Sequence, residues 1–564
     1  MRRSAVRALS ILATLVALTA CSDGASPTAA LTSSDVLSLT RGEVRTLSAS
    51  DGEELLISGG REGAEFALIP FSATASATSV PLEFAGEKLT AIATPAADLR
   101  LPSASLALAT AGLDPRERNV AFESRLRRRE RSVLTPLVRA ARARRAGGWR
   151  PSLSIAAADM VVGAQVMLNA QADQACTSPT LRMGRVAAVT RYAVVVADVD
   201  NPEGGFTDAE YEAFGAAFDT LVHPVDTQNF GEPSDIDGNG GRSILLFTRA
   251  VNALTEPGGS SYVAGFFYAR DLFPSTGADA CAGSNEAEMF YLLVPDPAGA
   301  VNGNAFTKSM VARTTVGTLA HEYEHLINAS RRMYVNGADA FEDTWLDEGL
   351  AHVAEELVFY RASGLSPRAN ITLETLRSSS TIRDAANAYE VANLQRLIQY
   401  LKDPERNSPF AEDDDLATRG AAWQALRYAA DRGTAPEQTF WYALVNARAT
   451  GATNLAAAAG ADFFSLMRDW ATAQLADDAG VVVAGTYLHP SWNFSSVLPA
   501  LTGGVASLKT RILADGAPVS LRLRGGGAAY LRFAVAAGTT GTVRVSSASG
   551  APPATLALTL VRTH

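Results

Sequence analysis

The chain has 564 residues, of which 47% are hydrophobic and 19% charged, with a formal net charge of −10 at pH 7. That length allows two to four domains, and the composition is typical of a soluble globular protein. The negative charge argues against nucleic acid as a general partner.

The N-terminus predicts an exported lipoprotein. Three arginines precede an apolar stretch, Leu9–Leu18, that is too short to span a membrane as a helix. The residues that follow resemble the lipobox of bacterial lipoproteins, so cleavage would leave a lipidated Cys21 as a membrane anchor. Ser22 favours the outer membrane, whereas plain secretion with an unmodified Cys21 is the alternative. We therefore expect a signal peptide over residues 1–20 and a polar tether over 21–33.

Two segments follow the tether. Residues 34–110 alternate short β-like runs with turns and predict a small β-sandwich-like domain. Residues 111–157 predict a basic helical segment. Arginines crowd one stretch of it, namely Arg116, Arg118, Arg125, Arg127, Arg128, Arg129, Arg131, Arg139, Arg142, Arg144 and Arg145. The favoured interpretation is a solvated helical linker. The alternatives are an activation segment that proteases cut at its arginines and a surface attracted to anionic lipid head groups.

Residues 158–485 predict an α/β half followed by a helical half. Val186–Ala197 and Ser243–Phe247 are typical of buried strands, and Phe290–Val294 is predicted as the edge strand beside the next helix. The chain then favours helices from Thr372 to Ala476.

The strongest functional motif is H-E-x-x-H, formed by His321, Glu322 and His325. One helical turn places both histidines on the same face, where two neutral imidazoles can bind one zinc ion. Glu322 follows the first ligand and is placed to act as a general base on a water molecule at the metal. Thr314 or Thr315 is expected to cap the start of this helix. Two satisfied core histidines are the alternative interpretation.

A third metal ligand is predicted at Glu348, on a helix expected over Asp343–Tyr360. Two histidines and one glutamate leave a fourth position open for water. Another class of zinc proteases continues the motif with Gly and His, but Asn328 and Arg331 occupy those positions here. His352 is the alternative third ligand.

These motifs resemble the hyicolysin-type metallopeptidases of the gluzincin clan. The similarity rests on His321–Asn328 and Trp345–Ala351, with flanking matches at Ser234–Gly240 and Ala264–Phe267, and covers roughly residues 185–475. It implies a zinc cofactor, protein or peptide substrates, and a metal site at the junction of the α/β and helical halves.

One position departs from that resemblance. In thermolysin-like gluzincins, an aspartate four residues after the third ligand supports a zinc histidine, and His352 stands there in this chain. The candidates for the supporting role, besides His352 itself, are Asp347, Glu355 and Glu342. The resemblance also implies a Tyr or His from the helical half that stabilises the oxyanion. The candidates for that role are Tyr389, Tyr400 and Tyr428.

Asp235, Asp237 and Asn239 resemble the start of a calcium loop, because alternating positions can place oxygens around one ion. An EF-hand needs a glutamate at position 12, where Leu246 stands, so a polar turn without an ion is the alternative.

Cys176 and Cys281 are the two cysteines that remain beyond Cys21. An even pair in an exported chain predicts one disulfide, and two unpaired buried thiols are the alternative.

Residues 486–564 are strand-rich and predict a C-terminal β-sandwich-like domain. The expected fold is multidomain α+β, with a gluzincin-like catalytic domain flanked by N- and C-terminal β-sandwich-like domains. The expected function is a zinc-dependent endopeptidase, lipid-anchored in the cell envelope or secreted. An aminopeptidase-type gluzincin and a catalytically inactive surface-binding lipoprotein are the alternatives.

Overall fold

A computed structural model describes residues 35–92, 117–118, 120–151, 160–259, 261–477, 480–504 and 508–564. The strands are β1 (Val36–Leu37), β2 (Val44–Leu47), β3 (Leu55–Ser58), β4 (Ala64–Ser72), β5 (Val80–Glu87), β6 (Glu117–Arg118), β7 (Gln165–Asn169), β8 (Leu181–Val189), β9 (Ala193–Asp198), β10 (Ser243–Phe247), β11 (Ser261–Tyr262), β12 (Gly265–Phe267), β13 (Met289–Leu292), β14 (Arg511–Ile512), β15 (Val519–Leu523), β16 (Leu531–Val535), β17 (Thr540–Ser547) and β18 (Leu556–Arg562). The helices are α1 (Val120–Arg129), α2 (Val138–Ala146), α3 (Asp208–Ala217), α4 (His223–Phe230), α5 (Arg249–Asn252), α6 (Lys308–Ser330), α7 (Thr344–Ser363), α8 (Leu373–Arg377), α9 (Ser380–Tyr389), α10 (Val391–Lys402), α11 (Leu416–Arg432), α12 (Glu437–Val445), α13 (Gly451–Ala459), α14 (Phe463–Ala476) and α15 (Phe494–Leu501).

One β-sandwich is built from both ends of the chain. Its sheets have the strand orders β1-β3-β17-β5-β15 and β14-β16-β4-β18-β2. β17 pairs with β3 and β5, and β18 pairs with β2 and β4, so neither end completes a sheet alone. The multidomain α+β class is confirmed, but the two separate sandwich-like domains expected from the sequence are a single domain. Alternating apolar residues identify strands without identifying their partners, which here lie more than 400 residues away in the chain.

The α/β half is built on a six-stranded sheet with the order β12-β13-β10-β9-β8-β7. β9, β10 and β13 run parallel to one another, and both faces of β9 and β10 are buried, which explains their continuous apolar sequences. The strand at the edge beside α6 is β12, which runs antiparallel to β13. The prediction of Phe290–Val294 as the edge strand was therefore wrong. β12 has only three residues, too few to show a strand pattern.

The helical half begins with two long helices. α6 packs against β12 and β13 on one side and against α7 on the other, and α7 also packs against α9 and α11. α6 begins at Lys308, where the Thr307 side chain accepts a hydrogen bond from the Met310 N–H. Thr314 and Thr315 are not its cap, because they lie inside the helix and donate to carbonyls of the preceding turn.

Residues 120–146, the α1–α2 segment, form α1, two short turns of 3₁₀ and π geometry, and α2. Leu126, Leu134 and Val138 on this segment are at most 1% exposed. The interpretation as a solvated linker was wrong, because one face of the segment is buried against the α/β and helical halves.

Three further features complete the fold. A disulfide joins Cys176 and Cys281, whose Cα atoms lie 4.2 Å apart. No helix among the described residues is both long and apolar enough to cross a membrane. The expected signal peptide, the tether and Cys21 lie outside the described residues.

Candidate active site

Three potential metal-binding atoms converge between α6 and α7. His321 Nε2 and His325 Nε2 lie 3.3 Å apart. Glu348 Oε2 lies 3.4 Å from the first and 3.7 Å from the second. Ligands held about 2.0–2.1 Å from a tetrahedral zinc ion are separated by about 3.3 Å from one another, so the three atoms fit one such ion.

A carboxylate stands behind each histidine. Glu355 Oε1 lies 3.2 Å from His321 Nδ1, and Asp347 Oδ2 lies 3.1 Å from His325 Nδ1. A carboxylate at Nδ1 favours the tautomer in which Nδ1 carries the proton and Nε2 offers its lone pair to a metal. Of the predicted supporting residues, the structure thus brings Glu355 and Asp347 to the site. Glu342 is instead bonded to Arg332 and Asn454.

His352 lies behind His321, with ring centroids 4.7 Å apart. Its Nδ1 atom is 3.5 Å from Glu355 Oε2 and 3.4 Å from an Arg396 nitrogen. Burial and the Arg396 guanidinium hold the pKa of His352 well below its usual value, which favours the neutral ring. His321, His352 and Glu355 are close enough to form a second metal-binding group. However, Glu355 there faces His321 Nδ1, and the geometry favours Glu348 over His352 as the third ligand.

Glu322 lies beside the converging atoms and is 2% exposed. Its Oε2 atom accepts a hydrogen bond of 2.8 Å from the Phe267 N–H of β12. This bond fixes the carboxylate next to the edge strand, which is where an extended peptide could add to the sheet.

Arg419 of α11 holds Glu348 from the helical half. A guanidinium nitrogen of Arg419 lies 2.9 Å from Glu348 Oε2, and Asp414 binds the same guanidinium through both of its oxygens. Burial opposes ionisation of Glu348, but Arg419 and the two histidines hold its pKa well below the usual range. Gly420, the next residue on α11, lets this helix pack closely against α10. A Cβ at this position would lie 2.2 Å from the Arg396 carbonyl carbon.

A second arginine reaches the site from the α1–α2 segment. Arg127 is 6% exposed, and its guanidinium lies within 4 Å of four carboxylates. The distances are 2.7 Å to Glu130, 3.4 Å to Glu348, 3.8 Å to Glu322 and 3.9 Å to Asp347. Neither Arg127 nor Arg419 was singled out from the sequence as a site residue. The crowding of arginines was the one available signal for Arg127, and Arg419 stands in no motif.

The three tyrosines expected as oxyanion donors are placed differently from one another. Tyr428 donates to the Thr486 carbonyl at 2.6 Å, and Tyr400 is buried against Trp470. Tyr389 ends α9 and lies beside Gly317, one turn before His321 on α6.

The predicted calcium loop forms a cluster with a different third member. Asp235, Asp237 and Glu288 bring carboxylate oxygens together. Asn239 instead closes the turn, because its side chain binds the Arg242 backbone N–H and carbonyl. Glu288 was missed as a member because it lies 51 residues beyond Asp237, on the chain that leads into β13.

Two imidazoles and a carboxylate that converge, with a second carboxylate held beside them, are the kinds of group that metal-dependent hydrolases place around a metal ion. No family model matches the chain. Among curated proteins, the chain is similar to neutral metalloprotease ShpI of Staphylococcus hyicus, with 31% identity over 173 residues. The aligned part is 31% of this chain and 36% of that protein, so the chain spans about a third of the relative's length.

Proposed function

We propose that this protein is a zinc-dependent endopeptidase. The observation that carries the proposal is the convergence of His321 Nε2, His325 Nε2 and Glu348 Oε2 at separations of 3.3–3.7 Å. The name of the curated relative, a neutral metalloprotease, supports the same activity. Substrates would be proteins or peptides.

In this proposal, some residues of the site bind or support a metal ion, and Glu322 transfers a proton. A zinc ion at this site supplies Lewis acidity and lowers the pKa of water. Glu355 and Asp347 orient the two histidines, while Arg419 keeps Glu348 ionised. Glu322, fixed by the Phe267 N–H, would accept a proton from the attacking water and deliver it to the leaving amine.

The alternative activities have less support. An aminopeptidase needs acidic residues that bind the substrate's free amine, and Glu286 and Glu288 are the acidic pair nearest before α6 in the chain. Glu286 accepts from the Ser275 N–H, and Glu288 belongs to the Asp235 cluster. A catalytically inactive binding protein would not need Glu322 in place beside the ligands.

Two further parts of the proposal concern calcium and location. Asp235, Asp237 and Glu288 offer the oxygen ligands that calcium prefers. The lipobox at Cys21 supports a lipid-anchored enzyme of the cell envelope, with the outer membrane favoured and secretion as the alternative.

The test replaces Glu322 by glutamine. Glu322→Gln should retain one zinc ion and the fold but lose about 10²–10⁴-fold in turnover of a quenched fluorescent peptide, because only the base is removed. Zinc content measured by mass spectrometry and activity with and without a chelator complete the assay. Glu356→Gln is the matched control, since it removes a buried carboxylate that faces Arg427 instead of the site. Equal turnover by zinc-loaded wild type and Glu322→Gln would refute the mechanism.

A further inference from the structure

The α1–α2 segment lies between the two halves of the candidate active site. On the α/β side, Phe122 packs against Phe266 of β12 with ring centroids 5.4 Å apart. On the helical side, Ser124 donates to Asp414 at 2.6 Å. Glu123 pairs with the same Arg419 that holds Glu348. The segment therefore bridges the cleft that a substrate would have to enter.

Arg127 occupies the position where chemistry would take place. Its guanidinium contacts both the proposed base, Glu322, and the proposed third ligand, Glu348. The cavity that remains beside Arg127, His325 and Asp347 has a volume of about 20 Å³. Such a cavity holds about one water molecule and no part of a peptide.

The segment and the strand before it also occupy backbone groups close to the edge strand. Glu130 accepts the Ala269 N–H at 2.7 Å, just beyond the end of β12. β6 adds to β11 as a parallel strand immediately before the segment begins. An extended peptide that adds to a sheet edge depends on free backbone groups of this kind.

We propose that the α1–α2 segment is a built-in inhibitor that keeps the enzyme inactive until the segment is displaced. This inference rests on the proposed function, because it assigns regulation to the same site. Arg127 blocks the base and the third ligand, and Glu130 binds the Ala269 N–H just beyond the edge strand. Phe122 and Leu126 anchor the segment by burial.

Cleavage by an arginine-directed endopeptidase is the proposed release step. Hydrolysis adds one water molecule across a peptide bond and divides it into a new carboxylate and a new amine. Arg125, Arg128 and Arg139 are exposed on the outer face of the segment and are accessible to such an enzyme. The ion pairs of Arg139 and Arg142 with Asp339 lie at the surface and contribute little to holding the far end. That end is also held by hydrogen bonds from Arg142, Arg144 and Arg145 to backbone carbonyls.

The first experiment compares zinc-loaded full-length proteins on a short quenched peptide. Arg127→Met/Glu130→Gln should raise kcat/KM by at least about tenfold over wild type, because it removes the two side chains that block the site. Neither residue belongs to the catalytic machinery. Limited tryptic cleavage within residues 120–146, followed by mass spectrometry, should raise the activity of wild type in step with the cuts. Arg128→Met is the matched control, since it removes an exposed guanidinium from the same helix, and it should leave activity unchanged.

A second variant and a second measurement test whether α1 has left the site. Leu126→Asp places a charge at a position that is 1% exposed and should expel α1. Hydrogen exchange reports the release of residues 120–134 independently of activity. A fluorescent peptide hydroxamate, which binds active-site zinc, reports access to the site.

The outcomes separate this inference from the proposed function. Suppose that wild type is itself active and that both segment variants release α1. If the variants then turn over the peptide no faster than wild type, the segment is not an inhibitor. If no zinc-loaded form is active, before or after cleavage, the proposed function fails. Hydroxamate binding to the zinc-loaded proteins then decides the inference. An affinity at least about tenfold higher in the released variants supports it, and an equal affinity overturns it.

Discussion

The carboxylate behind His321 offers a quantitative test of the site. Glu355→Gln retains a side chain of the same shape but removes the charge 3.2 Å from His321 Nδ1. Loss of such an outer partner costs about 10–100-fold in metal affinity, or about 1.4–2.8 kcal/mol at 1.4 kcal/mol per decade. Zinc affinity should therefore fall by that factor in a competition titration against a chelator of known affinity at pH 7.5. Glu348→Ala removes a ligand and should lower it further, whereas His352→Ala should have the smallest effect.

The neighbouring residue provides the control. Glu356 is also buried on α7, but it accepts hydrogen bonds from Arg427 and from the Trp492 ring nitrogen at 2.8 and 2.7 Å. Glu356→Gln should lower the free energy of unfolding without changing zinc affinity. If both glutamine variants weaken zinc equally, or if His352→Ala weakens it more than Glu348→Ala, the assignment of ligands and supporting residues is wrong.

Two further predictions concern the acidic cluster and the disulfide. Burial raises the pKa of Asp237 from 3.8 to about 7, so the folded state binds this proton more tightly than the unfolded state does. The free energy of unfolding should therefore decrease as the pH rises from about 4 to about 7. Calcium should raise Tm at pH 8 more than at pH 5, and an unchanged Tm at both would exclude the site. Cys176→Ser/Cys281→Ser opens a loop with a sequence separation of 105 residues and should lower the free energy of unfolding by about 2–5 kcal/mol in denaturant titrations. Alkylation of both thiols in unreduced wild type would contradict the bridge.

The parts of the site that depend on helical spacing could be predicted from the sequence. A turn of α6 brings His321 and His325 together, and the pattern of α7 was periodic enough to place Glu348 and Glu355 on a helix. The predicted start of α7 was within one residue of Thr344. By contrast, the start of α6 was placed several residues too late, because the sequence favoured Thr314 or Thr315 as the cap whereas Thr307 caps the helix.

The parts that depend on contacts between distant segments could not be predicted in the same way. Arg127 and Arg419 reach Glu348 from positions 221 and 71 residues away, and no spacing rule connects them. The same limit applies to Glu288 in the acidic cluster and to the strands of the sandwich. A run of arginines is usually a solvated surface, and only the structure shows that one face of this run is buried.

The shared sandwich and the α1–α2 segment together constrain how activation would work. The segment follows β1–β5 in the chain, so a single cut within it would separate those strands covalently from the catalytic region. β3, β4 and β5 nevertheless pair with C-terminal strands across most of their length, and buried residues such as Phe66 and Phe533 stack between them. Cleavage should therefore leave the N-terminal fragment bound, which native mass spectrometry or gel filtration after tryptic nicking would show. If Cys21 carries lipid, the activated enzyme would remain on its membrane, whereas dissociation of the fragment would mean that cleavage also frees the enzyme.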